Sequence, residues 1–339
     1  MMTGPASLGS ISAAALAALL SFLLTGIATW YAGRRGLLDH PGERQSHTVV
    51  TPRGGGAGLV AALLIASLLF ADSKLPGFWV QCIMPAVVVI AITGWWDDHA
   101  SLGAGFRFFI QLVVSFYLLW FVANAGWVQG VIPMIMSGLF LIWMTNLYNF
   151  MDGSNGMAGL QGVFAASVLA ALFHLSGDDH FFRFSLLLAA CCAGFLPWNL
   201  GHARVFMGDV GSLALGFLFA VFLLYGTSTG AFDYPLALIV MLLFLTDATL
   251  TLLLRVIRGE RWYNAHRQHL YQRLIAHGWT HARVAMVYQA INLTLVLPGI
   301  VIAVNFPALA WATALALTLV FVLGWYFSIS RLGVLTQAG

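Results

Sequence analysis

The chain has 339 residues, 60% of them hydrophobic and only 8% charged, with a net charge of +3. A soluble domain carries about 25% charged residues, and so few ionisable groups cannot cover a globule of this size. The composition excludes soluble enzymes, secreted domains, nucleic-acid-binding proteins and disordered chains, and leaves an all-α polytopic membrane protein.

A bilayer span needs about 20 mostly apolar residues. In chain order eleven segments satisfy this: 8–31, 54–71, 78–96, 107–124, 128–147, 157–175, 183–200, 211–228, 234–257, 284–304 and 308–329. No Lys or Arg precedes the first segment, so it lacks the charged start of a signal peptide and reads as a span. No soluble unit, repeat or low-complexity segment is inserted, so residues 1–339 read as one integral membrane domain. Cys82, Cys191 and Cys192 lie inside apolar runs. An odd number with two adjacent reads as small buried side chains and not as a disulfide framework. Trp and Tyr near span ends, among them Trp30, Trp79 and Trp198, fit an interfacial belt.

Basic residues set the expected orientation. With the N-terminus outside, the segments facing the cytoplasm and their adjoining span ends hold thirteen of the fifteen Lys and Arg, leaving only Lys74 and Arg183 opposite. The expectation is a periplasmic N-terminus and a cytoplasmic C-terminus, with the long loops 32–53 and 258–283 cytoplasmic.

Asp-Asp-His occurs twice, at 97–99 and 178–180, and topology separates the two. Two spans lie between Asp98 and Asp152, and two more between Asp152 and Asp209, so these carboxylates and Asp97 share the cytoplasmic face. Three spans separate Asp98 from Asp178, which reads as part of a solvated turn on the other side. Asn146, Asn149 and Asp152 are spaced by three, one polar stripe if helical. Asn199 and the turn Phe206–Ser212 lie on the same face. One such residue could be a helix cap, but four carboxylates and three amides on one face point to function, because polar groups at membrane depth are costly. Carboxylate and amide oxygens suit Mg²⁺, nearby arginines suit phosphate, and together they equip phosphoryl transfer. The stretch Arg53–Gly58 could offer backbone N–H groups to a phosphate or pack helices closely through small residues; both readings stay open. Asp247, inside a span, could line a groove for the lipid phosphate or be neutralised by a neighbouring helix.

These residues resemble the polyprenyl-phosphate N-acetylhexosamine-1-phosphate transferases, the WecA- and MraY-like membrane enzymes of glycosyltransferase family 4. The likeness runs from about residue 37 to 275: Asp39 through His47 with Thr51–Gly55, Asp97-Asp98, Asn146 through Gly156, Asn199 with Phe206–Ser212, and His266-Arg267-Gln268-His269. Eleven spans fit the WecA-like branch.

The resemblance implies transfer of N-acetylhexosamine-1-phosphate from a UDP-sugar to undecaprenyl phosphate in the bacterial inner membrane, with UMP released on the cytoplasmic face. It implies Mg²⁺, with Mn²⁺ able to substitute, held by Asn149 and Asp209 with Asp152 close by. Asp97 and Asp98 would orient or deprotonate the lipid phosphate, and Arg107 would touch phosphate. Phe206 would stack on uracil and Asn155 would bond its edge. Arg267 and His269 would contact diphosphate and sugar, with Asn199, Arg44 and His47 as further substrate-binding positions. A homodimer is a further partner implied.

Two departures bear on the donor. Asn155 stands where many relatives carry a second Asp, and His269-Leu270-Tyr271-Gln272 keeps only the first histidine of His-x-His-His. The combination resembles O-antigen-initiating transferases of the WbpL type, implying UDP-GlcNAc or a 6-deoxy relative such as UDP-FucNAc. The competing class is a lipid or solute transporter, which would gather its polar groups near the midplane and often carry repeats.

Overall fold

The computed structural model describes residues 5–39, 50–70, 77–261 and 266–333. Arg44 and His47 lie outside the described residues. In chain order the elements are α1 (Pro5–Arg35), β1 (Leu38–Asp39), β2 (Thr51–Pro52) and α2 (Gly56–Leu69). A π-helical turn at Trp79–Ile83 leads into α3 (Met84–Ala100), followed by α4 (Ala104–Asn124), α5 (Val131–Phe150), α6 (Met157–Ser176) and α7 (Asp179–Asn199). Next come α8 (Asp209–Thr229), α9 (Tyr234–Ile257), the short α10 (Leu270–Ala276) and α11 (His281–Ile291). A second π-helical turn, Asn292–Val296, joins α11 to α12 (Leu297–Asn305), and α13 (Ala310–Leu332) ends the bundle.

The protein is an all-α polytopic membrane protein: ten helices among the described residues are long and apolar enough to cross a bilayer. The expected span at 54–71 is the exception. Its helix α2 has 14 residues, about 21 Å at 1.5 Å per residue, short of the roughly 30 Å of hydrocarbon. Helix α2 still starts beside the last turn of α3, where Arg53 donates to the Asp98 carbonyl oxygen, so the two run in opposite directions. Backbone contact makes room for it: a Cβ at Gly56 would sit 2.4 Å from the Gly211 Cα.

Alternating helices bring the ends of α3, α5 and α7 and the starts of α2, α4, α6 and α8 to one end of the bundle. The opposite end holds Asp178, which caps α7 by accepting from Phe181 N (3.0 Å) and from the Tyr225 hydroxyl (2.7 Å). The Phe181 and Tyr225 rings stack with centroids 3.6 Å apart. The run of α8 from Asp209 to Tyr225, about 24 Å of helix, separates this cap from Asp209. The second Asp-Asp-His is thus at the far end from the first, and Asp178 is a half-buried cap in place of the solvated turn expected. Helix α8 is apolar all round, as a central helix must be: Phe217, Phe219 and Phe222 are fully buried. On the periphery Phe116, Trp120, Ile132 and Trp311 are exposed, the surface that lipid would cover.

Candidate active site

Asp97 and Asp98 are adjacent in the last turn of α3 but face different partners. Asp98 is 4% exposed. Its Oδ1 accepts from Asp209 N (3.1 Å) and its Oδ2 from Val210 N (3.2 Å), so it caps the positive end of α8. Asp97, mostly buried, turns the other way: its Oδ1 accepts from Leu102 N and its Oδ2 lies 2.6 Å from Arg107 Nη1. The same nitrogen is 3.1 Å from Asp209 Oδ2. The other Asp209 oxygen accepts from Asn149 Nδ2 (2.8 Å), which also donates to Ser212 Oγ (2.9 Å). Carboxylates 112 residues apart meet because α3 crosses α8 at a glycine. A Cβ on Gly94 would lie 2.3 Å from the Asp209 carbonyl oxygen.

The polar stripe on α5 divides by partner. Asn146 donates to Gln111 Oε1 (2.6 Å) on α4, which stiffens the α4–α5 contact beneath Arg107. Asn149 reaches Asp209, and Asp152 follows just beyond the helix end, its N–H bonded to the Asn149 carbonyl at 3.1 Å. Burial, with Asp209 and Asp98 close by, raises the Asp152 carboxyl well above the ordinary carboxylate range.

Asn155 donates to the Gly201 carbonyl (2.9 Å). Asn199 is buried behind that turn: its Oδ1 accepts from Gly156 N (2.7 Å) and its Nδ2 donates to the Val205 carbonyl (3.0 Å). Its amide therefore ties the turn after α5 to the turn before α8. Phe206, half-buried, donates through its N–H to the Pro52 carbonyl (2.8 Å). The glycine-rich stretch resolves toward packing, since Gly55 N and Gly56 N donate to the Phe206 and Met207 carbonyls at 2.9 and 2.8 Å.

In the loop before α10, Arg267 is half-buried. His269 is 2% exposed, ringed by Phe150, His266 and Tyr271. Burial, then the charges of Arg255 and Arg273, pushes its imidazole down to about 3. It is a neutral group at neutral pH, able to bond but not to supply charge to a diphosphate. Gln111, Arg53, Ser212 and Tyr271 also serve the site but were not singled out for it. The spacing of Gln111 four residues after Arg107, on one helix face, was a usable signal; the others depend on contacts between distant segments.

Among the described residues no three Asp, Glu, His or Cys side chains converge as a metal cage. Charge balance still fits a divalent cation. Asp97, Asp98, Asp152 and Asp209 crowd against only two arginines, Arg53 and Arg107, and the repulsion that helps raise the Asp152 carboxyl is what such an ion would relieve. Asp209, with the Asn149 amide beside it, offers the hard oxygen chemistry that Mg²⁺ takes.

A bundle of membrane helices with carboxylates, an amide and an arginine gathered at one end defines a polytopic membrane enzyme, and comparison with known proteins narrows the class. Residues 80–227 match the model of glycosyl transferase family 4. The chain is 30% identical over 314 residues to a decaprenyl-phosphate N-acetylglucosaminephosphotransferase of Mycobacterium tuberculosis, covering 80% of this chain and 77% of that one. A Mycobacterium leprae protein of the same description is also 30% identical over 314 residues, covering 80% and 78%. A probable undecaprenyl-phosphate N-acetylglucosaminyl 1-phosphate transferase of Bacillus subtilis is 27% identical over 320 residues, covering 89% and 85%. The chain belongs to glycosyl transferase family 4, in its WecA- and MraY-like branch of membrane transferases.

Proposed function

We propose that the protein transfers N-acetylglucosamine-1-phosphate from UDP-GlcNAc to undecaprenyl phosphate, releasing UMP and leaving undecaprenyl-diphospho-GlcNAc in the membrane. The observation that carries this reading is the bridge of Arg107 between Asp97 and Asp209, beside Asn149 and the Asp98-capped start of α8. The descriptions of the relatives support GlcNAc as the sugar, with UDP-FucNAc as the alternative donor. The basic residues around 32–53 and 258–283 support a cytoplasmic active face with the N-terminus periplasmic. The product suits the first lipid-linked step of a surface polysaccharide such as O-antigen.

In the reaction an oxygen of the lipid phosphate forms a bond to the β-phosphorus of the donor. The bond from that phosphorus to the bridging oxygen breaks, and its electron pair leaves on UMP. A phosphate monoester has a second pKa near 6, so the nucleophile is ionised at neutral pH and needs no strong base. Arg107 leaves Asp209 to hold the incoming phosphate, while its shorter bond to Asp97 is kept and holds the guanidinium aimed. Asp98 fixes the first turn of α8, and with it Asp209. Bound Mg²⁺, or Mn²⁺ in its place, would be held by Asp209 and Asn149 and would neutralise charge on the diphosphate. Phe206 and Asn155 are proposed to face uracil, and Arg267 the diphosphate.

The test is UMP release by purified protein given UDP-GlcNAc and undecaprenyl phosphate. Release should stop with EDTA, return with Mg²⁺, and need more Mg²⁺ in Asp209→Asn and Asn149→Ala. Substrate movement across a vesicle with no UMP formed would identify a carrier and sink the proposal.

A further inference from the structure

Outside the candidate site, Asp247 accepts five hydrogen bonds. It is 2% exposed in α9, where an uncompensated carboxylate would be expensive. Donors from four elements satisfy it. Leu270 N (2.7 Å), Trp325 Nε1 (3.3 Å) and Thr251 Oγ1 (3.3 Å) donate to Oδ1. The Tyr288 hydroxyl (2.8 Å) and Tyr271 N (3.3 Å) donate to Oδ2. Two of the five are backbone groups in the first turn of α10, so Asp247 fixes where that turn begins, directly after Arg267 and His269.

The contact continues toward the site through Tyr271, which is fully buried. Its hydroxyl donates to the Phe150 carbonyl (2.8 Å) and accepts from Gly153 N (3.1 Å). Those two backbone groups bracket Asp152, with Asn149 one residue before Phe150. The same loop is braced from its other side. Arg273 Nε donates to the Gln268 carbonyl (2.9 Å) and its Nη1 to the Gly333 carbonyl (2.7 Å), while Gln268 Nε2 donates to Glu260 Oε2 (2.9 Å).

We infer that Asp247 and Tyr271 are positioning residues: Asp247 anchors α10, and the Tyr271 hydroxyl ties α10 to the turn carrying Asp152, so the loop after α9 and the end of α5 move as one unit. A carboxylate is suited to this place because both of its oxygens only accept, and its roughly four lone-pair sites can be shared among the five donors. Neither residue touches substrate in this scheme. Tyr271 acts through the placement of Asp152, and Asp247 through Tyr271 and the loop bearing Arg267.

The kinetic part of the test rests on the transferase reading, so a second readout is independent of it. Tyr271→Phe removes the hydroxyl and leaves the Asp247 donors in place. It should lower kcat about tenfold or more, as misplacement of a reacting group does, with KM for the lipid phosphate within about twofold of wild type. Amide hydrogen exchange should quicken over 150–156. Asp247→Asn should quicken exchange over both 150–156 and 266–271. Should it fail to fold, Tyr271→Phe still decides. Tyr225→Phe, at the far end of the bundle, is the control and should change neither segment. Wild-type kcat together with wild-type exchange in Tyr271→Phe would overturn the inference, even if that variant melts earlier. If the wild-type protein releases no UMP, the transferase reading fails while the exchange measurements still decide the relay.

Discussion

Asp97 and Asp98 are neighbours in sequence with different work, and exchanging each for Asn should separate them. Asp98 accepts two backbone N–H groups of α8 and is 4% exposed. In Asp98→Asn one acceptor becomes an NH₂ that confronts a backbone N–H. The lost charge-assisted bond costs about 1.5–3 kcal/mol, and the lost charge at a helix N-terminus about 0.5–1 kcal/mol more. At roughly 2–4 °C per kcal/mol, the unfolding midpoint should fall about 4–16 °C. Asp97 pairs with Arg107, whose side chain is 31% exposed, a pair worth about 0–1 kcal/mol, and its bond from Leu102 N is one that the oxygen of an Asn side chain still accepts. Asp97→Asn should therefore lower its midpoint by no more than about 4 °C. Turnover should fall about 100-fold in both, through a displaced Asp209 in one and a mis-aimed Arg107 in the other. Thermal unfolding followed by tryptophan fluorescence, beside UMP release, reads both quantities. Equal midpoints for the two variants, or a larger fall for Asp97→Asn, would refute the division of labour.

Asn199→Ala leaves Gly156 N and the Val205 carbonyl unpaired inside the protein, and its midpoint should drop by the equivalent of about 2–4 kcal/mol. Gly94→Ala pushes a methyl to 2.3 Å from backbone and should abolish folded protein in detergent, as judged by size-exclusion chromatography. Gly103→Ala, with nothing within 4 Å, should elute normally. Acid should weaken the fold through His269. Its pKa falls from 6.5 unfolded to about 3 folded, so between those values the unfolded chain binds the extra proton and stability declines as pH drops. At pH 5 the loss is about 2 kcal/mol, and His269→Gln should shrink the difference in midpoint between pH 7 and pH 5.

The membrane class, most span positions and the gathering of Asp97, Asn149 and Asp209 were legible because each follows from a one-dimensional property. Apolar run length marks spans, and the parity of spans assigns residues to an end. Partner choice was not legible in this way. Nothing in the run Trp95–His99 says that Asp98 points back at α8 while Asp97 points to Arg107. That depends on Gly94 letting two backbones touch. Asn199 looked like a substrate ligand because it lies on the right face, yet its partners Gly156 and Val205 come from turns folded over it. The glycine-rich stretch supports two readings as sequence, and the Phe206 and Met207 carbonyls, from a distant turn, decide between them by taking its N–H groups. The length of α2 was also hidden, since apolar residues continue past the helix end at Leu69.

Helix α8 is gripped at both tips, by Asp98 at the start and by the Tyr225–Asp178 bond near the finish. A rod clamped at each end cannot lean to suit a thinner or thicker membrane without dragging Asp209 along. Tilting, the usual answer of a long helix to a change in hydrocarbon thickness, would for α8 shift Asp209 as well.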